Sequence, residues 1–220
     1  MRAQTAQTAP NTTAQHALAD LRRAIVAGEL RPGQRVRQEE VAARLDMSLA
    51  PVREALRVLE QEGQVEYRPR RGYFITALDV ADLVEIYALR QVLEERAARA
   101  AVPVLDGDAL ERITLAERDC AEAAARGDVV AELAANRRFH FGILDAPGQV
   151  HTMRLIRLLW ESTESYRALY YNAPEERERT VDDHTRILEA VRARDVDTVV
   201  RLLDAHRQRA LDVLTGVLGE

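Results

Sequence analysis

Residues 36–76 read VRQEEVAARLDMSLAPVREALRVLEQEGQVEYRPRRGYFIT, and the order of elements in this stretch decides the fold of the N-terminal part of the chain. Gln38–Leu45 carries apolar or small residues on one face of a short helix. Ser48 suits the N-cap of a second helix, and Pro51 suits its first turn, where a missing N–H costs nothing. Gly63 suits the residue that follows the end of that helix. The stretch therefore predicts two helices joined by a tight turn.

A β-hairpin is predicted directly after the second helix. Val65–Tyr67 and Tyr73–Ile75 are β-prone runs, and the segment between them is rich in arginine. Two helices followed by a basic hairpin are the elements of a winged helix-turn-helix, whose second helix enters the major groove of DNA. We therefore predict an N-terminal winged helix-turn-helix with a small β-hairpin as its wing.

The residues predicted to contact DNA lie before and along the second helix and at the tip of the wing. Residues at the N-terminus of that helix meet base edges, and Arg53 could bond O6 and N7 of a guanine in two-pronged fashion. Ser48 and the helix N-terminus suit phosphate oxygens. Taken alone, Arg53 and Arg57 would more simply belong to a solvated helix face. The turn before them and the arginine-rich wing after them favour contact with DNA instead. The full set is Arg37, Ser48, Leu49, Ala50, Pro51, Arg53, Arg57, Arg70, Arg71 and Gly72.

The remainder of the chain is predicted to form helices alone. Asp79, Asp106, Asp128 and Asp195 each suit a helix N-cap, and leucine, valine and alanine recur at helical spacing. One long helix is predicted from about Gln149 to Tyr171. The predicted fold class is therefore mainly α, with the winged helix-turn-helix followed by an all-α six-helix bundle.

Length and composition fit two domains. The chain has 220 residues, of which 47% are hydrophobic, whereas a single domain usually has about 100–200 residues. We divide it into a disordered N-terminal arm (residues 1–13), a DNA-binding domain (14–77) and a helical effector-binding domain (78–220). The arm lacks the apolar centre of a signal peptide, and no apolar run approaches the ~18 residues of a membrane span. The single cysteine, Cys120, fits a reducing compartment. We therefore expect a cytoplasmic protein without a membrane partner.

Charge is distributed unevenly between the two parts. The net charge is −5, yet residues 1–77 hold 12 Arg against 9 acidic residues, and residues 78–220 hold 19 Arg against 27 acidic residues. Basic charge is thus concentrated where DNA would lie, and the acidic remainder disfavours binding in another orientation. Because the basic excess is modest, we expect a homodimer that binds a palindromic double-stranded DNA operator with two such domains.

The chain resembles the GntR-type bacterial regulators. The matching pieces are LRRAIVAGELRPGQRV at 21–36, S-x-x-P-V-R-E-A-L at 48–56, LEQEG at 59–63 and RRG at 70–72. The C-terminal part resembles the all-helical FCD ligand-binding domain of the branch named after FadR, in its shorter VanR-like subgroup. The family usually carries an Arg where this chain has Leu49, so we expect an operator that differs from the family's usual sequence.

The histidines acquire a function only through this resemblance. From spacing alone, three satisfied or surface histidines would be favoured over a metal site. The resemblance implies a divalent metal held by an Asp or Asn and three His, and it carries over to Asn136, His140, His184 and His206. Nitrogen and oxygen donors suit zinc, with nickel as the other choice. Asn136 stands where many relatives carry Asp, so four neutral ligands would leave the ionic charge uncompensated and favour an anionic ligand.

A small organic acid is the effector that the resemblance implies. In that family the residue at the position of Arg90 often points into the cavity near the metal. The guanidinium of an arginine there fits a carboxylate with two parallel hydrogen bonds. Tyr87 could line the same pocket. The simpler interpretation of Arg90 is a surface ion pair with Glu94, four residues later on one helix face.

These observations predict a ligand-responsive repressor that is released from DNA, or re-posed on it, by its effector. The helix Asp79–Val102, packed against the linker and wing, is the predicted transducer. Two alternatives stay open. The C-terminal domain could be a metal-dependent hydrolase with Asp183 as general base, or the metal itself could be the signal or a purely structural element.

Overall fold

The structure is a computed structural model that describes residues 12–145, 148–171 and 174–219. The predicted disordered arm lies outside the described residues except for Thr12 and Thr13. Thr12 caps the first helix, which starts at Thr13, so helical structure begins slightly before the predicted boundary of the DNA-binding domain. Within the described ranges, every helix is too short or too polar to cross a membrane.

The N-terminal part is a winged helix-turn-helix. Its apolar core is formed by one face of each helix and by the inner face of the hairpin, with Leu21, Val52, Leu56 and Ile75 fully buried. Its elements are α1 (Thr13–Val26), α2 (Gln38–Arg44), α3 (Leu49–Gln61), β1 (Val65–Arg68) and β2 (Gly72–Ile75).

The turn chemistry of this domain follows the sequence closely. Gly63 has φ +73° directly after the end of α3, which is the conformation expected of a glycine at that position. The strands pair antiparallel, with Val65 opposite Ile75 and Arg68 opposite Gly72. The segment before α2 pairs with the other edge of β2, because the Val36 amide donates to the Tyr73 carbonyl at 2.9 Å. β2 is therefore hydrogen-bonded on both edges, to β1 on one side and to the segment before α2 on the other, and the second pairing fixes the wing to the body of the domain.

The C-terminal part is a helical bundle, and the mainly α fold class is confirmed. Each predicted aspartate cap is present, and the side chains accept from backbone amides three residues later at 2.7–3.1 Å. A short 3₁₀ turn, Val102–Val104, follows the first helix. The helices are α4 (Val80–Ala101), α5 (Gly107–Arg126), α6 (Val129–Leu144), α7 (Val150–Ser162), α8 (Glu164–Tyr171), α9 (Pro174–Arg192) and α10 (Val196–Gly219).

One predicted helix is divided, so the predicted six helices are seven among the described residues of the bundle. The expected helix from Gln149 to Tyr171 stops at Thr163, where α7 gives way to α8. The Thr163 hydroxyl donates to the carbonyls of Leu159 and Trp160 at 3.3 and 3.2 Å, and Arg167 donates to the Trp160 carbonyl at 3.1 Å. These bonds satisfy carbonyls at the end of α7, which allows the chain to bend there. The sequence has no glycine or proline at this position to signal the break.

The two parts of the chain contact each other through the linker and α8. Val26 and Leu78 pack against a small core that contains Leu83 and Tyr166. The Leu78 amide donates to the Tyr166 hydroxyl at 2.6 Å, and that hydroxyl lies 3.2 Å from the Leu78 carbonyl. The linker is therefore held by a hydrogen-bonded tyrosine of the bundle.

Candidate metal centre and DNA-contacting surface

Three histidines from distant parts of the sequence converge inside the bundle. His140 lies on α6, His184 on α9 and His206 on α10, and all three are buried. Each pair of rings has centroids 5.2 Å apart, and one nitrogen of each ring lies within 4.8 Å of the others. This is the geometry in which three imidazoles can coordinate one ion.

The polar atoms around this point have no protein partner. Oδ1 of Asn136, Nδ1 of His140 and both ring nitrogens of His184 are buried and form no hydrogen bond. A buried polar group left unpaired costs about 1–3 kcal/mol, so these atoms fit a group that the protein itself does not supply. Burial, with neighbouring histidines and arginines adding to it, lowers the pKa of His140 and His184 well below the ordinary value. The imidazoles are therefore neutral, as metal ligands must be.

Asp183 positions the third histidine. Nδ1 of His206 lies 2.9 Å from Oδ2 of Asp183, and Arg209 pairs with the same carboxylate. Because the carboxylate accepts from Nδ1–H, the other ring nitrogen of His206 keeps its lone pair for the site. Burial raises the pKa of Asp183, but hydrogen bonds from His206 and Arg209 outweigh burial and lower it to about 2. Asp183 is therefore a fixed anion beside the site.

Arg90 lies near the histidines, but its carboxylate partner is a residue of the protein itself, Glu94. Its Nε donates to Oε1 of Glu94 at 2.8 Å, and Trp160 Nε1 donates to that oxygen at 2.6 Å. Arg207 donates to the second oxygen, Oε2, at 2.7 Å. Arg90 and Glu94 are only 5% and 2% exposed. The surface ion pair considered from the sequence is therefore a buried one, shared between two arginines and a tryptophan.

A small cavity connects this cluster to the histidines. Its volume is about 30 Å³, which is about the space of one water molecule. Arg167 is 5% exposed, and its Cζ lies 4.0 Å from the centroid of the Trp160 ring, while Cζ of Arg90 lies 4.4 Å from that centroid. The lining residues are Tyr87, Arg90, Glu94, Asn136, His140, Trp160, Arg167, Leu203, His206, Arg207 and Ala210.

Three of the predicted DNA-contacting residues, Arg53, Arg57 and Gly72, line an open groove between α3 and the wing. The groove has a volume of about 670 Å³ and is lined by Arg53, Arg57, Tyr67 and Gly72, among others. Arg53 is exposed, and its Nε donates to Oε1 of Gln38 at 3.1 Å, which orients the guanidinium at the start of α3. An Arg held in this way is available to a base edge.

The wing tip and the start of α3 carry further residues of the predicted DNA-contacting set, and Ser48 lies at the N-cap of α3 as predicted. Arg70 has φ +63°, and Cζ of Arg71 lies 5.4 Å from the centroid of the Phe74 ring. Ser48 occupies the N-cap position of α3 without a side-chain hydrogen bond, so its hydroxyl is available.

Two predicted contacts of the DNA-binding set have partners within the protein. Leu49 is partly buried and packs against the core of the domain, so only part of its side chain is open to a base edge. Arg37 forms an exposed ion pair with Glu40 at 2.7 Å. Ala50 is exposed and Pro51 is half-buried on the first turn of α3.

Comparison with known proteins agrees with both halves of this structure. The family model of the bacterial regulatory proteins of the gntR family matches residues 13–75, and that of the FCD domain matches residues 85–209. The chain belongs to the GntR family, with an FCD domain. Members of this family with this architecture are DNA-binding transcriptional regulators, and the similar proteins below carry such names.

Several relatives align over most of the chain. An uncharacterized HTH-type transcriptional regulator of Bacillus subtilis, YdhC, is 28% identical over 78% of this chain and 77% of its own length. An uncharacterized regulator of Mycobacterium tuberculosis, Rv0043c, is 31% identical over 77% and 70%. The solved structure of Escherichia coli McbR/YncC superposes with a TM-score of 0.81 at 25% identity, covering 92% of this chain and 97% of that one.

Some residues of the FCD-domain cavity were not among those predicted. Glu94 was considered only as a surface partner of Arg90, and Trp160, Arg167 and Arg207 were not considered. Their signal in the sequence is weak, since an arginine on a helix is ordinarily solvated. Tyr87 does line the cavity, as expected, and its hydroxyl is buried without a hydrogen bond.

Proposed function

We propose that this GntR-family regulator is a cytoplasmic repressor that binds a palindromic operator as a homodimer and responds to a small carboxylate. The effector acts at a metal site formed by Asn136, His140, His184 and His206. The observation that carries the proposal is the convergence of three neutral, buried imidazoles beside a cavity lined by three arginines. Zinc, with nickel as the other choice, would supply a Lewis acid that binds an oxygen of the effector.

A metal ion at this site would make the cavity select an anion. Arg90, Arg167 and Arg207 line it, and each already pairs with a carboxylate, from Glu94, Glu164 or Asp204. The four proposed metal ligands are neutral, so a divalent ion would add two further positive charges. Charges removed from water require compensation. A carboxylate or dicarboxylate supplies that compensation, and a neutral or cationic compound does not.

Glu94 occupies the place that the effector's carboxylate would take. It already accepts from Arg90, Arg207 and Trp160, and the remaining cavity of about 30 Å³ is too small for an organic acid. Effector binding therefore requires Glu94 to leave Arg90 or Arg207. A groove of about 380 Å³ between α4 and α10 lies directly outside and shares Glu94, Leu203 and Arg207 with the cavity, which makes it the entry route.

Helix α8 is suited to carry the signal to the DNA-binding domain. Arg167 contacts the cavity, and the preceding residue, Tyr166, is hydrogen-bonded to the linker at Leu78. A shift of Arg167 towards a bound anion would move the anchor of the linker on the same short helix. The coupling requires that the effector bind the DNA-incompetent arrangement more tightly than the competent one. This route adds α8 to the transducer predicted from the sequence, α4.

A direct metal sensor is the second candidate, and the small cavity favours it. A volume of about 30 Å³ admits a single ion or water molecule without rearrangement. A hydrolase is less well supported, because Asp183 is engaged by His206 and Arg209 and its pKa of about 2 makes it a poor general base.

The test separates these candidates by measuring release from DNA. Operator fragments are first selected from random duplexes with the purified protein, and binding is followed by fluorescence anisotropy. Under the proposal, mono- and dicarboxylates release the zinc-loaded protein from the operator. This release is lost after chelation, and also in the double variant that carries both Glu94→Ala and Arg90→Ala. Release by zinc alone supports the direct sensor instead. Chelated protein that still responds fully to carboxylates contradicts a role of the metal in sensing.

A further inference from the structure

Helix α4 has an exposed apolar face opposite the face that lines the cavity. The cavity face carries Leu83, Tyr87, Arg90 and Glu94, all buried. On the opposite face Val92 is 68% exposed and Leu89 is 48% exposed, and Ala81 and Ala88 are also exposed. Exposed apolar residues that align along one helix face, rather than scattered singly, indicate a surface that another helix covers.

Charged residues frame this apolar face, and Glu85 and Arg96 are two of them. At 100° per residue, Glu85 and Arg96 are eleven positions apart and lie about 20° from each other around the helix. Both are exposed, and neither forms an ion pair among the described residues. Glu85 lies towards the N-terminal end of the face and Arg96 towards its C-terminal end, with Leu89 and Val92 between them.

We propose that this face of α4 is the surface on which two copies of the chain associate, with the two α4 helices packed antiparallel. A twofold axis that passes between residues 90 and 91 brings Glu85 beside Arg96 of the partner subunit and Leu89 beside Val92 of the partner subunit. Symmetry makes each contact twice. The face is thereby self-complementary in charge as well as apolar.

The charges select a second copy in this orientation. A parallel arrangement would place Glu85 against the partner subunit's Glu85, and like charges face to face are destabilising. The antiparallel arrangement pairs both charges and buries the exposed valine and leucine. This inference rests on the homodimer of the proposed function, and it names the surface that the proposal leaves open.

The position of this face also has a functional consequence. Arg90 and Glu94 lie on the opposite side of the same helix. A change of their ion pair on effector binding would therefore act directly on a helix of the dimer interface, and so on the separation of the two DNA-binding domains.

Disulfide trapping tests the register. Glu85→Cys protein and Arg96→Cys protein carry different affinity tags, are mixed and are oxidised. The antiparallel register predicts a mixed disulfide between the two variants. It predicts none within either variant alone, because residues 85 and 85 of two copies are offset by about 16 Å along the axis, beyond the ~7 Å that a disulfide spans between Cα atoms. Cys120 is buried, and wild-type protein controls for its reactivity. Disulfides within each variant alone would overturn the antiparallel register.

Sedimentation of the full chain separates the interface from the dimer itself. Val92→Glu is expected to raise the dimer dissociation constant at least about 100-fold, since a charge would be placed in the interface twice. Leu115→Glu is the control, because it places the same charge at an exposed leucine on α5 (41% exposed), and it should have no effect. A wild-type monomer would refute the homodimer of the proposed function. A dimer that Val92→Glu leaves intact would refute the α4 interface alone.

Discussion

Replacement of Glu94 by glutamine tests the internal counterion directly. The side chain accepts from Arg90, Arg207 and Trp160 in an almost fully buried position. Burial raises the pKa of Glu94, but Arg90 and Arg207 outweigh it and lower that pKa, so the residue is an anion in the folded protein. Glutamine keeps the volume and the hydrogen-bonding oxygen but removes the charge.

The expected loss of stability can be estimated from the contacts. Breaking a buried ion pair by removing one partner costs about 3–5 kcal/mol. Arg207 keeps a second partner, Asp204, at 2.8 Å, so the cost falls chiefly on Arg90 and the lower end applies. For a chain of this size about 1 kcal/mol corresponds to 2–4 °C. Glu94→Gln should therefore lower the Tm by about 6–12 °C.

An added carboxylate should restore part of this loss, because the vacated arginines can bind it. A ligand at about 100 times its Kd stabilises by about 2.7 kcal/mol, which corresponds to about 5–11 °C. The measurement is thermal unfolding of wild-type and variant protein in rising concentrations of sodium acetate, with sodium chloride at equal ionic strength as the reference.

The neighbouring residue provides the matched control. Glu95 pairs with Arg99 at 2.8 Å, but its side chain is 44% exposed, so Glu95→Gln should change stability by less than about 1 kcal/mol. If Glu94→Gln is as stable as wild type, Glu94 is not a required counterion. If acetate raises the Tm of wild type and of Glu94→Gln equally, the arginines vacated by Glu94 do not form the carboxylate site.

Four further substitutions test other parts of the chain. Asn136→Asp should slow the loss of zinc to a chromogenic chelator by about tenfold, because an anionic ligand compensates the ion; unchanged release would remove this position from the ligand set. Arg53→Ala should relax the preference for one base pair by about 1–3 kcal/mol. Arg70→Ala should weaken binding to all sequences and reduce the slope of log affinity against log salt concentration by about one. Anisotropy titrations with single-base operator variants and at several salt concentrations distinguish the two. Burial raises the pKa of the Glu132 carboxyl from 4.5 to about 7, so the folded state holds a proton that the unfolded state has released. The contribution of Glu132 to stability should therefore fall as the pH rises from 4.5 to 7, whereas the buried histidines with lowered pKa contribute in the opposite direction. The difference between Glu132→Gln and wild type isolates Glu132, and it should shift by up to about 3 kcal/mol in favour of the variant over this range. Parallel pH profiles of the two proteins in urea denaturation would refute the assignment.

Much of the fold could be predicted because its signals are local. Asp79, Asp106 and Asp128 begin helices as expected, because a cap is formed by a side chain and an amide three residues away. Gly63 ends α3 for a similarly local reason. The order of α2, α3 and the hairpin, and the concentration of arginine on that segment, are also properties of adjacent residues. The membership in a family of DNA-binding regulators followed from these features.

The break between α7 and α8 could not be predicted in this way. Thr163 is tolerated in a helix, and the bend depends on its hydroxyl and on Arg167, which caps the Trp160 carbonyl from the next helix. The same bend carries Arg167 into the cavity. The surface role first considered for the Arg90–Glu94 pair failed similarly, because helical spacing gives the pairing but not the burial.

The sequence by itself determined where most helices of this protein begin and which segment is suited to DNA, but not the break between α7 and α8. The tertiary structure alone decided that His140, His184 and His206 meet within 4.8 Å of one another, and that Glu94 lies among buried arginines. Caps, turns and periodicity depend on residues a few positions apart, so they can be recognised in the sequence. Convergence of residues 44 and 22 positions apart depends on how α6, α9 and α10 pack, and that packing is set by the shapes of whole helix faces.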